Sequence, residues 1–323
     1  MIWQAAAAMT IVGLSAAAAG LPQAPGAAAE FSIAVSVTLP NGQPVRDLSA
    51  ADFSVLEDGQ RVSITSFSTG TSLALVVLVS DQQRMVKHRP RARVVAETVV
   101  ALLERRDRAA ISGMRSLAAG FHAGDERPAL TGGLNQVLSR TATSDGSTGS
   151  QSWASMRSAG AALKQQAPAA DVHAIIALSS GLDFVTLDEH QTYTSLYEFG
   201  SPTDENAGGR EDAAMTTAGE GVVVFGFGFN GTGYDKHLQR LSRDSGGRFV
   251  EAGRDTNLRS AAEYVMRDLR SRYVLRFVPQ SLDGRRHTLE VLVRRPGLVV
   301  RARSFHSGTV RSTVQSSNGN LPF

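Results

Sequence analysis

Three stretches carry side chains able to bind or activate something. The first is Val77 to Met85 (VLVSDQQRM), where the apolar run LALVVLV turns abruptly polar. A hydrophobic strand that ends this way puts its last residues outside the carboxyl edge of a sheet, where α/β proteins hold ligands. Ser80, Asp81, Gln82 and Arg84 offer there a hydroxyl, a carboxylate, an amide and a guanidinium. The guanidinium of Arg84 can fork bidentately to a carboxylate. Ser180 and Asp183, in LSSGLDF, follow a second apolar run, VHAIIA. Ser180 lacks the G-x-S-x-G elbow, and no histidine is placed by spacing to serve it as a base, so the stretch does not read as a hydrolase site. The third stretch is Gly226 to Gly231 (GFGFNG), with Glu251 downstream. It has the written form of a dinucleotide fingerprint. It comes after a late strand, however, and its phenylalanines are bulky where a pyrophosphate needs close backbone approach. A nucleotide-using enzyme working through Gly226, Gly228 and Gly231 is therefore kept as the alternative from a different class.

Composition narrows the chemistry further. The 323 residues include no cysteine, which removes disulfides, thiolate catalysis and cysteine-based zinc sites. The seven histidines show no metal-ligand spacing, and those at 122 and 173 fall in apolar runs where a hydrogen-bonded structural role is expected. Net charge is +3, with arginines crowded between Arg267 and Arg303. No aromatic residues interleave with them as single-strand stacking requires, so the pattern reads as a solvated strand face and not as a nucleic-acid site. Residues 1–29 hold an apolar, small-residue run too short to span a bilayer, closed by Ala27-Ala28-Ala29. They read as a signal peptide, which makes the mature chain exported, periplasmic or extracellular. No later run reaches the length of a membrane span.

Between these stretches the pattern alternates in kind. Residues 30–69 show period-two alternation (Phe31, Ile33, Val35, Val37; then Phe53, Val55) punctuated by Asn41-Gly42 and Asp58-Gly59, which marks hairpins. From Leu73 on, buried strands alternate with amphipathic helices: RARVVAETVVALLERR, a stretch from Gly133 to Arg140, one carrying Trp153, Met156 and Leu163, then YDKHLQRLSRDSGG and TNLRSAAEYVMRDLRSR. That alternation predicts right-handed crossovers and a mostly parallel sheet with helices on both faces. YVLRFVP, HTLEVLVRRP and LVVRARSFH return to alternation and read as a meander. The economical arrangement joins 30–69 and 272–306 into one small antiparallel β-sandwich, with an α/β unit of residues 70–271 inserted and a disordered tail at 307–323. The segment 183–214 reads as a long polar excursion.

The order of pieces carries a resemblance. NGQPVRDLSAADFSVLEDGQ…ITSF, then a hydrophobic strand, LSSG, LQRLSRDSGGRFVEAG and finally LRSRYVLRFVP…GRRHTLEVLVRRPGLVVRAR resemble the exported von Willebrand factor type A-related proteins common in Acidobacteria. The resemblance covers residues 31–306 and implies a von Willebrand type A-like fold. Such a domain binds a divalent cation at the top of its sheet through Asp-x-Ser-x-Ser, a loop threonine and an aspartate after the fourth strand, and through the cation an acidic residue of a partner. Matched from Met85, the aspartate position is Ser80 and the two serine positions are Gln82 and Arg84. The loop threonine falls at Ser150, with Thr148 equally placed, and the last aspartate is Ser180. No carboxylate stands at a matched position, whereas Mg²⁺ wants six hard oxygen ligands. A guanidinium about 4 Å from a divalent ion costs about 2 kcal/mol in water and ~8 kcal/mol at an effective dielectric of 20.

Residue types, spacing and resemblance together imply an exported, non-catalytic protein-binding or adhesion-type module with a degenerate, metal-free site and no cofactor. The partner would be a protein met through an acidic residue, and Arg84 would stand as a fixed cation where the metal sits in the resemblance. Asp81 and Asp183 are the carboxylates that could pair with Arg84 instead. A divalent-cation-dependent adhesion module with other ligands is the alternative within the same class.

Overall fold

The computed structural model describes residues 30–70, 72–114, 120–142, 149–180, 217–229 and 236–307. The proposed signal peptide, Thr148, Asp183 with the rest of the 183–214 excursion, Gly231 and residues 308–323 lie outside them.

Leu73–Val79 (β5) forms the spine of the α/β unit. All its residues are buried, as a strand covered on both faces requires. Its side chains divide by parity: Leu73, Leu75, Val77 and Val79 enter one core, and Ala74, Val76 and Leu78 the other. The first core is closed by α1 (Arg89–Ala101), α2 (Arg127–Ser139) and α5 (Leu258–Arg270). The second is closed by α3 (Gly149–Gln166) and α4 (Lys236–Asp244) through Trp153, Met156, Leu163, Leu238 and Leu241. Each fully buried side chain of this kind contributes about 1.5–3 kcal/mol relative to exposure.

The remaining strands of this sheet are β6 (Arg108–Gly113), β7 (His122–Ala123), β8 (Val172–Ser179), β9 (Val222–Gly228) and β10 (Arg248–Glu251). Their order is β10-β9-β8-β5-β6-β7, parallel throughout except for β7, which runs antiparallel at the edge. Counted from β5 as the first strand, this is 6-5-4-1-2-3, the doubly wound order. The chain reverses direction across the sheet between β5 and β8, and the crevice at their carboxyl ends is the switch point.

Two four-stranded antiparallel sheets make up the second unit, and between them lies a third core containing Ile33, Val35, Phe53, Val55, Leu275 and Phe277. One sheet has the order β13-β1-β11-β4 and the other β14-β12-β2-β3. The strands are β1 (Phe31–Thr38), β2 (Phe53–Glu57), β3 (Gln60–Val62), β4 (Ile64–Thr69), β11 (Tyr273–Phe277), β12 (Arg286–Val293), β13 (Val299–Arg301) and β14 (Phe305–Ser307). The architecture is thus a doubly wound α/β unit, with helices on both faces of a mostly parallel sheet, inserted in an antiparallel sandwich.

Three local expectations need correction. The C-terminal strands do not form a meander: β11 and β13 both pair with β1, while β12 pairs with β2 and β14. Consecutive strands cross between layers because each buries one face in the shared core. The helix expected from Gly133 begins at Arg127, with Pro128 in its first turn, where a missing N–H costs nothing. Ser307, expected in the tail, is buried at the end of β14 and pairs with Arg286.

Candidate functional site

Ser80 sits at the mouth of the switch-point crevice, one residue beyond β5. Its backbone N–H donates to the Leu178 carbonyl at 2.9 Å, so the β5–β8 ladder runs to the edge. Ser180 stands one residue beyond β8 and is fully buried. Past Ser80 the chain turns through Gln82 into a 3₁₀ segment, Gln83–His88, which leads directly into α1.

The residues at the matched positions satisfy one another. The Gln82 N–H donates to Ser80 Oγ at 3.3 Å, and Ser180 Oγ donates to Gln82 Oε1 at 3.0 Å. Ser80, Gln82 and Ser180 are all buried. Two oxygens that a cation would need therefore accept hydrogen bonds from within the set, and none of the three is a carboxylate. Among the described residues no group of three histidine or acidic side chains is placed to hold a metal ion. Within the described residues, the matched positions thus offer a divalent cation hydroxyl and amide oxygens and no carboxylate.

Asp81 is buried, with its Oδ2 toward Gly113 at the end of β6. A methyl group placed on Gly113 would meet Asp81 Oδ2 at 3.3 Å and Arg140 Nη1 at 3.4 Å. The glycine at the end of β6 thus leaves room for a carboxylate and a guanidinium from two other elements. Arg140 is not visible as a site residue in the sequence, where it looks like an ordinary solvated residue after a helix. Its carbonyl accepts from Arg89 Nη2 at 2.8 Å, which ties α1 to the end of α2.

Arg84 is half-buried within the 3₁₀ segment. It opens a run of cations at the start of α1, RMVKHRPRAR, comprising Arg84, Lys87, Arg89, Arg91 and Arg93. Neither the 3₁₀ segment nor α1 has an acidic residue in its first turn. Positive charge at a helix N-terminus opposes the helix dipole, where anions are favoured. The run is legible in the sequence as a charge cluster, but only the fold puts it at the switch-point edge. Arg91 is partly committed: Nη1 donates to the Ala252 carbonyl at 3.1 Å, Nη2 donates to the Gly253 carbonyl, and the guanidinium lies 5.9 Å from the Phe229 ring centroid. Arg93 pairs with Glu97 at 3.2 Å and with Asn135. His88, whose buried Nε2 has no hydrogen-bond partner among the described residues, is held below its ordinary pKa by burial and by Lys87 and Arg91.

Ser150 lies in the first turn of α3, and its side chain falls outside what is described. Asp183 falls outside entirely.

Gly226 and Gly228 lie inside β9, both buried. A Cβ on Gly226 would come within 2.7 Å of Leu238 Cγ and 2.8 Å of a Phe249 ring carbon. The glycine is required by close packing of α4 and β10 on the sheet, which accounts for it without a phosphate. His173 is structural, as its apolar run implied: Nε2 pairs with the Ala167 carbonyl at 2.9 Å, and burial pushes its pKa down to about 4. His122 pairs with Glu126 at 3.0 Å on the surface.

No protein-family model and no curated protein matches the chain. Solved structures similar to it include a von Willebrand factor type A protein from Catenulispora acidiphila, at 11% identity, over 87% of this chain and 73% of that one, with a TM-score of 0.43. The human COPII-coat protein Sec24c aligns at 10% identity over 75% of this chain, TM-score 0.44, and this chain spans 44% of its length. The pilus adhesin SpaC from Lactobacillus rhamnosus GG, in an open conformation, aligns at 10% identity over 80% of this chain, TM-score 0.41, and this chain spans 41% of it. Likeness at this level carries no argument about the site.

Proposed function

We propose that this protein is an exported, non-catalytic binding module that meets an acidic group of a protein partner at its switch-point edge without a metal. The observation that supports this most is the charge at that edge. The Ser80–Gln82–Ser180 set is neutral and internally hydrogen-bonded, while the adjoining helix start carries five cations and no acid in its first turn. Dipole and side chains together make an electropositive rim. A carboxylate arriving there meets guanidiniums that can fork to it, the role a cation takes in the resemblance.

Thermal melts with millimolar Mg²⁺ or Mn²⁺, and with chelator, test the metal-free part. A ligand of the native state must raise the melting temperature, so a shift of less than about 1 °C is expected, and a shift of several degrees would restore the cation-dependent reading. Capture of partners from an envelope fraction, repeated with Arg84→Ala and with Arg89→Ala, tests the rim. Unchanged capture of an acidic partner by both variants would overturn it.

A further inference from the structure

At the opposite end of the α/β unit from the switch-point edge lies a cleft of about 690 Å³, at the seam with the sandwich. It is the place where the chain crosses between the two units. Thr69 and Gly70 lead in and Ser271 and Tyr273 lead out, and the Gly70 N–H donates to the Arg272 carbonyl at 2.7 Å. A ligand here would touch both crossings. The volume lies within the range of small-molecule sites, about 300–1,000 Å³.

Its lining sorts into three kinds of side chain. Met266, Tyr273 and Leu102 provide apolar surface, with Met266 and Tyr273 buried and Leu102 41% exposed. A second group is already committed: Arg106 pairs with Glu104 at 2.8 Å, and Arg270 grips the buried Asp107 with both Nη atoms. The third group is uncommitted. Arg46 comes from the sandwich, and Arg267 and Glu263 from α5, and among the described residues none of the three has an ion pair or hydrogen bond. Glu263 and Arg267 are spaced i, i+4, which usually allows pairing, yet here they remain apart. Two uncommitted guanidiniums, one from the sandwich and one from α5, thus line the same cleft.

From this arrangement we infer that the cleft binds a small amphipathic carboxylate, its apolar body on Leu102 and Met266 and its charge between Arg46 and Arg267. A guanidinium pair suits a planar carboxylate because each can offer two parallel N–H donors. Glu104 is neutralised by Arg106 and Arg270, and Arg106 and Arg270 are themselves engaged, which leaves two guanidiniums for one small carboxylate and not an extended basic track for nucleic acid or a polyphosphate. A cationic ligand would meet two arginines of its own sign. The site is independent of the switch-point edge, so it stands whether or not that edge binds a partner.

Three compounds with one body and different charges test it: 4-phenylbutyrate, 4-phenylbutanol and 4-phenylbutylamine, titrated into the full mature chain by calorimetry. The carboxylate is expected to bind with a Kd below about 1 mM and the other two at least tenfold more weakly. Arg46→Gln and Arg267→Gln should each weaken the carboxylate by about five- to tenfold, with melting temperatures unchanged because both side chains are exposed. Leu102→Asp should weaken it similarly while leaving Arg84-dependent partner capture intact. The inference fails if the three compounds bind equally, if no heat appears with about 5 mM 4-phenylbutyrate, if neither arginine variant changes the affinity, or if poly-glutamate binds more tightly than the small carboxylate.

Discussion

The switch-point edge and the seam between the two units treat charge differently. At the edge, Ser80, Gln82 and Ser180 are neutral side chains bonded to one another, and one buried carboxylate, Asp81, stands with Arg140 at Gly113. At the seam, charge is buried outright. Asp268 on α5 accepts from Arg272 Nε at 2.9 Å, from Ser36 Oγ at 3.1 Å and from Arg301 Nη2. Arg272 is fully buried and also donates to the carbonyls of Ala34 at 3.1 Å and Gly246 at 2.8 Å. Burial alone would push the Asp268 carboxyl up, but the Arg272 and Arg301 guanidiniums hold it down, so it is ionised. The network joins β1, α5, the turn after α4 and β13, elements far apart in the chain. Ionic groups here join the sandwich to the inserted unit, whereas the basic run at the edge, from Arg84 to Arg93, stands at a helix start with no acid in its first turn.

This contrast sets the order of expected effects. Asp268→Ala should destabilise the protein by about 3–5 kcal/mol, because it leaves two guanidiniums at a buried site without their carboxylate. Urea denaturation checks this, and a loss below about 1 kcal/mol would mean that the seam is not held by its charges. At the edge, Ser180→Ala should cost less, about 1 kcal/mol for each neutral hydrogen bond removed, the one to Gln82 Oε1 included. A much larger loss would show that the edge is as structurally committed as the seam.

A smaller effect concerns pH and the far side of the sandwich. His287 Nδ1 pairs with Asp58 at 2.7 Å and Nε2 with Asp283 at 2.9 Å, tying two turns together. Asp58, the one non-glycine residue at positive φ among the described residues, is held down to about 2, chiefly by His287 and by the Thr288 N–H. The two carboxylates raise the His287 pKa, through Asp58 first. Its contribution is therefore complete below the unfolded histidine value of about 6.5 and is lost as pH rises through the raised folded value. The contribution of Asp58 is present above about 3.9 and lost as pH falls toward 2. His306, stacked on His287 with ring centroids 5.1 Å apart, behaves oppositely: burial lowers its pKa against the pull of Glu57, so acid works against it. The melting-temperature difference between the wild type and His287→Phe should accordingly widen as pH falls from 8 to 5. A difference that is constant or narrows over that range would remove the ion pairs from the account.

How far the sequence can be read depends on the range of the interaction involved. The strand LALVVLV announces itself because a strand buried on both faces must be apolar at every position. Gly59, after Asp58, marks its turn locally. The failure of the cation-site pattern at Ser80, Gln82, Arg84 and Ser180 is legible because a metal needs particular donors, and their absence is a property of residue type. The meander is misread because alternation says that a strand has one buried face but not which layer it joins. Gly226 is written like a phosphate-binding glycine, and only the packing of Leu238 and Phe249 against it shows otherwise.

By itself, then, the sequence determined the element types, a mostly parallel sheet with helices on both faces and the lack of carboxylates at the matched positions, all of which follow from local periodicity and side-chain chemistry. Only the tertiary structure decided that Arg140 and Asp81 meet at Gly113, that Asp268 collects Arg272 and Arg301, and that Arg46 and Arg267 face one cleft. Most of these pairings join residues far apart in the chain, and such contacts are set by how sheets and helices pack, which no local pattern encodes.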